Sequence, residues 1–378
     1  HPRVRRQRQM CIRDSCSGYG AESGNDILTV RLTCAENGQE TGGKAGKDAV
    51  SDNVRIEVLS GLRQGNCPSF GLVRENSFYA AEELSGEGYI RKYEICPDGS
   101  LADTGKRLQI PGGELCHLYA GEKALYASCY GTGDFCAVDF ELEQVLWHRR
   151  AAAGQKQPHA HWVSEGNGIL YLADLGSDRI YRYWLKDGLP GEELEPLVLK
   201  DGAGPRQPLP LDRTKGERLL TVQELDSTLR LWEDGNCVET VRTTAFDGTN
   251  YPGTICMADE STVLVCNRGA NTVAAFRLEA EKSGESGRKH PAQESQEQTH
   301  REQKRLTYLG EWQTGDWPRY LYRISGTALF LNACNKEGAL ILFEWTGKEL
   351  LQKGRIELPG ASCAAEVCGG STAAETIE

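Results

Sequence analysis

The sequence predicts an all-β fold: a single seven-bladed β-propeller of four-stranded antiparallel blades, its ring closed by strands from both ends of the chain. Three observations carry this prediction. The composition is strand-and-turn material, with 43 Gly and only 2 Met in 378 residues, and short runs rich in Val, Leu, Tyr and Phe alternate with clusters of Gly, Asp, Asn and Ser. One unit recurs along the chain. The two ends left over from the recurrence each supply apolar strands that have no other partner.

The unit reads as a proline-containing or small turn, a short strand, a turn, an apolar strand ending in a polar residue, a tight turn and a further strand. It appears as NCPSFGLVRENSFYAAEE from Asn66, as ELCHLYAGEKALYASCYGTGDFCAVDF from Glu114 and as QPHAHWVSEGNGILYLADLGSDRIYRYWL from Gln157. Three more copies start at Gly204, Gly253 and Trp317. The landmarks Pro68, Cys116, Pro158, Pro205, Gly253 and Pro318 recur at roughly 45 to 50 residues, the period of propeller blades. One interval is stretched by residues 281–305, EKSGESGRKHPAQESQEQTHREQKR, which are almost devoid of apolar side chains and read as a disordered surface loop. Its two His are expected to be solvated.

Outside these copies, ILTVRLTC (Ile27–Cys34) reads as a strand, and LQKGRIELPG (Leu351–Gly360) is expected to supply others. Joining them in a seventh blade hides the edges that an open array exposes. Residues 1–15 are left out of the fold. The stretch RRQRQMCIRDS has no strand or helix period and resembles translated adapter sequence, so this segment is expected to be non-native and the propeller to span residues 16–378.

A net charge of −11 and the lack of a basic stripe argue against nucleic-acid binding. Any anion site must be a local cluster of Arg or Lys. No apolar run approaches the roughly 20 residues that span a bilayer, and the basic N-terminus lacks the apolar segment of a signal peptide. The 14 Cys are scattered without a CxxC pair, several of them inside strands (Cys129, Cys256, Cys266), which suits buried free thiols in a reducing cytoplasm. A cytoplasmic protein, monomeric or weakly self-associating, is expected.

In a propeller, the turns that lead into the innermost strands converge on one channel mouth. Here those turns carry Pro68-Ser69, Cys116-His117, His159-Ala160-His161, Pro205-Arg206 and Pro318-Arg319, and the ends of the following strands carry Glu82-Glu83, Tyr130, Asp174, Glu224, Arg268 and Asn335. One ring is rich in His and Arg, and the other alternates acids with Arg268. A pocket for a polar anion follows, with His159, Arg319, Asp174 and Glu83 as candidate substrate contacts.

The segments PHAHWV, YLADLGSDRIYRY, GAGPRQ, TVQEL, CNRGANTVAAF and WPRY resemble signature stretches of the 6-phosphogluconolactonase-type propeller lactonases, a superfamily that includes the carboxymuconate lactonizing enzymes. The resemblance runs from about residue 16 to the C-terminal region. It implies an active site of one His, two Arg and a Glu, which by motif are His161, Arg206, Arg268 and Glu224. It also implies hydrolysis of an anionic sugar lactone, 6-phospho-D-glucono-1,5-lactone first, without metal or cofactor. The chain departs from the family pattern at Gln207, where His usually follows GPR, and in several turns.

The chemistry suits these residue types. A neutral imidazole can take the proton of an attacking water, since an unperturbed His titrates near 6.5. Glu224 can orient that His or act as the base, and the guanidinium forks can hold a phosphate, a carboxylate or the oxyanion. No GxSxG elbow is present for acyl-enzyme chemistry. Other readings stay open. The two His can hydrogen-bond channel backbone, Glu224 and Arg268 can form a structural ion pair between blades, and Asp174 can cap the LGSD turn. A Cys116–His117 nucleophile pair is disfavoured because adjacent strand residues face opposite ways. A carboxymuconate-type cycloisomerase and a non-catalytic protein-binding scaffold are the alternative functions.

Overall fold

A computed structural model describes residues 9–15, 25–34, 54–151, 156–211, 216–279 and 305–367, with residues 9–15 described as backbone. The described residues form seven four-stranded antiparallel sheets, and the Gly-rich turns place φ-positive residues at their corners. Six sheets are built from strands consecutive in sequence, starting at Pro68–Arg74, Leu115–Ala120, Ala160–Gly166, Pro205–Pro210, Tyr251–Met257 and Pro318–Arg323. These starting strands pack against one another from sheet to sheet and are the innermost strands of blades one to six.

Burial follows position in the blade. Middle strands such as Leu125–Cys129, Ile169–Asp174 and Leu329–Cys334 are buried along their whole length, because each face is covered by a neighbouring blade. Outermost strands such as Leu101–Ile110 and Leu189–Val198 are largely solvent-facing. Leu28, Val30 and Leu32 of the seventh sheet share one apolar cluster with Leu329, Leu331, Leu340 and Leu342 of the sixth. Ile27 shares another with Phe78, Ala80 and Tyr93 of the first. The seventh sheet therefore packs on both of its neighbours.

That sheet differs from expectation in two strands. Leu350–Glu357, which covers most of the segment assigned above to the seventh blade, is instead the outermost strand of blade six. The innermost strand of blade seven is Ala365–Val367. The excluded N-terminal segment also supplies a strand, Gln9–Ser15, which lies between Ala365–Val367 and Ile27–Cys34 in the order completed by Val54–Leu62. Its lack of periodicity hid it: a strand flanked on both sides is held by backbone pairing, which any residue except Pro supplies. The polar insertion lies outside the described residues apart from Arg305, whose backbone N–H donates to Glu239 at 2.5 Å. Among the described residues no helix is long and apolar enough to cross a membrane.

Candidate active site

The entry of each inner strand departs from regular pleating. The pairing register shifts between Pro68 and Phe70, Leu115 and His117, Ala160 and Trp162, Pro205 and Gln207, Pro252 and Ile255, and Pro318 and Tyr320. A bulge of this kind inserts an unpaired residue and re-aims its side chain. The residues inserted include Ser69, Cys116, His161, Arg206, Thr254 and Arg319, and all six line one small void on the channel axis. Its volume is about 10 Å³, room for about one water molecule.

Two buried polar atoms of residues at this void lack hydrogen-bond partners, Nδ1 of His161 and Nε of Arg206. Burial lowers the His161 pKa well below its ordinary value, and the charges of Arg206, Arg319 and Arg268 lower it further. The imidazole is therefore neutral at physiological pH. The ring of Tyr130 meets it edge-on at 5.9 Å and stacks on His159 at 4.4 Å. His159 is fixed from two sides, its backbone N–H donating to Asp174 at 2.8 Å and its Nδ1 lying 3.0 Å from the carbonyl of Tyr130.

Glu224 bridges both arginines of the implied set. It accepts from Nη1 of Arg206 and lies 2.7 Å from Nη2 of Arg268. Burial alone would raise its pKa, but the two guanidiniums prevail and hold it down to about 2. Arg268 also donates from Nε to the Tyr251 carbonyl at 2.9 Å and from Nη2 to that of Pro252 at 3.2 Å, and its guanidinium lies 5.6 Å from the ring centre of Trp317. Arg206 and Glu224 belong to blade four and Arg268 to blade five, so this is an ion pair between blades as well as a cluster at the channel mouth.

The family described as "Lactonase, 7-bladed beta-propeller" matches residues 49–344. The chain belongs to the propeller lactonase family. It is 24% identical over 324 residues to the 6-phosphogluconolactonase of Bacillus subtilis (strain 168), covering 78% of this chain and 86% of that protein. Among solved structures it superposes on a Bacteroides fragilis protein proposed to be a 6-phosphogluconolactonase, with a TM-score of 0.76, 18% identity and coverage of 97% of this chain and 100% of that one. The periplasmic gluconolactonase of Pseudomonas aeruginosa superposes with a TM-score of 0.72, 16% identity and coverage of 96% and 99%.

Within this lactonase fold the sequence-predicted residues separate into two groups. His161, Arg206, Glu224, Arg268 and Arg319 are brought together, with His159 one ring away. Glu83 is near enough for its charge to raise the Cys116 pKa, and its N–H donates to the carbonyl of Cys67 at 3.0 Å. Asp174 is not brought into the pocket. It is wholly buried and accepts from the backbone N–H groups of His159 and Ser177 and from the Ser177 hydroxyl, the work of a turn cap.

Cys116 and His117 line different cavities, Cys116 the void and His117 a separate one. They form no nucleophile pair: the Cys116 thiol faces the carbonyls of Ser128, Ala160 and His161, and burial pushes its pKa up to about 12. Thr254 and Ser362 at the void were missed. Thr254 follows the landmark Gly253 and was within reach of the repeat alignment, whereas Ser362 lies beyond the last repeat and left no signal. Gln207, at the family's His position, does not enter the void. Its amide donates to the carbonyl of Ile255 at 3.0 Å and accepts from the Ile255 N–H at 2.7 Å, joining blades four and five.

Proposed function

We propose that this chain hydrolyses an anionic sugar lactone, with 6-phospho-D-glucono-1,5-lactone as the best-fitting substrate and 6-phosphogluconate as the product. The observation that carries this reading is the pairing of two orphaned buried polar atoms, on His161 and Arg206, at a water-sized void inside a cluster of three guanidiniums. Water adds to the lactone carbonyl carbon while its proton passes to the neutral imidazole of His161. The guanidiniums stabilise the oxyanion and hold the anionic group of the sugar. The ring C–O bond then breaks, the proton moves to the departing ring oxygen, and the open-chain acid ionises. Glu224, ionised and engaged by two arginines, orients those arginines and leaves the role of base to His161. The buried thiols support a cytoplasmic setting, and the packing of the seventh sheet on both neighbours supports a ring closed by the two chain ends.

Acid release by the purified protein tests the reading. The phosphorylated lactone is expected to be preferred over glucono-1,5-lactone by at least about tenfold in kcat/KM, and His161→Asn to lower kcat by about 100-fold or more. Hydrolysis unchanged in His161→Asn would sink the assignment of the base, and equal use of the two lactones would remove the phosphate.

A further inference from the structure

Beyond the lactonase site, the channel opens at its opposite mouth into a cavity of about 350 Å³, within the size range of small-molecule sites. It is lined by the far halves of the inner strands, including Leu72, Ser164, Pro208 and Tyr322, whereas the catalytic cluster sits at their entries. Phe70 and Trp162 border both spaces and separate them.

The walls are a continuous aromatic surface. The His117 ring stacks on Trp162 at 3.8 Å and 27°, Trp162 stacks on Tyr320 at 6.3 Å and 29°, and Tyr320 on Tyr322 at 6.5 Å and 14°. Phe70 meets Trp162 and Tyr320 edge-on, at 6.1 and 5.7 Å. His117 presents a neutral ring, since burial lowers its pKa well below the ordinary value.

The charge of the cavity is of one sign. Glu165 and Glu366 line it, and no Lys or Arg does among the described residues. Glu366 accepts from the Ser325 N–H at 2.9 Å. Glu165 is half-buried, and burial and the nearby Glu122 both raise its pKa, so its carboxylate would gain from a cation beside it. Aromatic faces attract cations through their quadrupole, and two carboxylates add a direct electrostatic preference. The same features disfavour the anionic lactone and its product.

We propose that this second mouth is a binding site for a small organic cation, an amine or quaternary ammonium, held against Trp162, Tyr320 and Tyr322 with Glu165 and Glu366 supplying the counter-charge. Calorimetric titration of the full chain with choline, against its neutral isostere 3,3-dimethylbutan-1-ol, tests this with no lactone present. The outcome is therefore independent of whether the chain hydrolyses lactones. Choline is expected to bind about tenfold more tightly than the neutral alcohol, the ratio expected from a desolvated cation–π contact. Glu165→Gln should weaken choline several-fold and leave the alcohol and lactone hydrolysis unchanged, and Tyr322→Leu should weaken choline by a similar factor. Equal affinity for the two probes, no binding of choline, or choline affinity unaffected by either substitution overturns the proposal.

Discussion

His161 and Glu224 look interchangeable as bases until their surroundings are compared. His161 is buried and Glu224 largely enclosed, and loss of solvent disfavours the charged form of each. Around Glu224 two guanidiniums outweigh that penalty and hold it ionised, with a pKa near 2. Around His161 the same positive field works together with burial, and both lower the imidazole pKa. A base acts only when unprotonated, so a lowered pKa moves the acid limb of activity to lower pH. The profile of kcat/KM, which reports the free enzyme, is therefore expected to be flat from pH 8 down to 6.5 and to fall only below that. An anionic substrate that neutralises part of the arginine field raises the imidazole pKa in the complex. The limb in kcat should thus lie at higher pH than the limb in kcat/KM. An acid limb in kcat/KM at or above 6.5 would show that a different group carries the proton.

At the scale of the strand, the site is a product of repeated bulges. Each blade on its own presents one inserted side chain at its entry, and the convergence of six blades turns isolated residues such as Ser69, Cys116, His161 and Arg206 into a lined void. The irregularity exposes backbone that must find partners, and side chains of the preceding blade provide them. The Ser69 hydroxyl donates to the carbonyl of Leu115 at 3.1 Å, the Ser164 hydroxyl to that of Pro208 at 2.9 Å, and Thr254 accepts from the Leu321 N–H at 2.7 Å. Gln207 makes the most complete of these joints, meeting both the N–H and the carbonyl of Ile255. Gln207→Leu keeps the volume and removes both partners, leaving two backbone groups unsatisfied at a buried position, at a cost of about 2 kcal/mol. A lower urea midpoint is the expected result, and an unchanged one would mean that the joint carries no stability.

The same scale explains what the sequence made legible. Pro68, Pro205 and Pro318 mark blade entries because turn chemistry leaves a residue signature at a fixed period, and the residues beside them, Ser69, Arg206 and Arg319, were found with them. The bulges leave no such signature, and Thr254, which one of them inserts at the void, was not found. Asp174 was visible as an acid at a strand end, but the choice between cap and ligand depended on the Ser177 hydroxyl and the His159 backbone. Strands whose state is imposed by their neighbours, Gln9–Ser15 and Ala365–Val367, carried too little pattern of their own to be read.

For the whole molecule, the decisive segment is the short C-terminal strap between blades six, seven and one. The Ser362 hydroxyl donates to the carbonyl of Ser69 at 2.8 Å, and the Cys363 sulfur accepts from the Gly71 N–H at 3.2 Å. Asn335 of blade six donates to the carbonyls of Gly360 and Ala361, at 2.9 and 3.3 Å. Ala361 and Ala364 are buried in the apolar cluster shared by blades six and seven, and Cys363 in the large cluster of blades one to four. If the strap closes a ring, each blade is held on two sides. Without it the array is an open stack whose ends fray independently. A chain ending at residue 360 loses the bonds of Ser362, Cys363 and Glu366, each worth about 1 kcal/mol, and exposes the edge of the innermost strand of blade one. The intact chain is expected to melt in one transition. The shortened chain should melt at lower temperature and in two, with the blades at the break unfolding first, while Ser362→Ala should lose only about 1 kcal/mol and keep a single transition. A shortened chain with the melting temperature and cooperativity of the full one would mean that the propeller is held by blade-to-blade packing alone, with no contribution from closure.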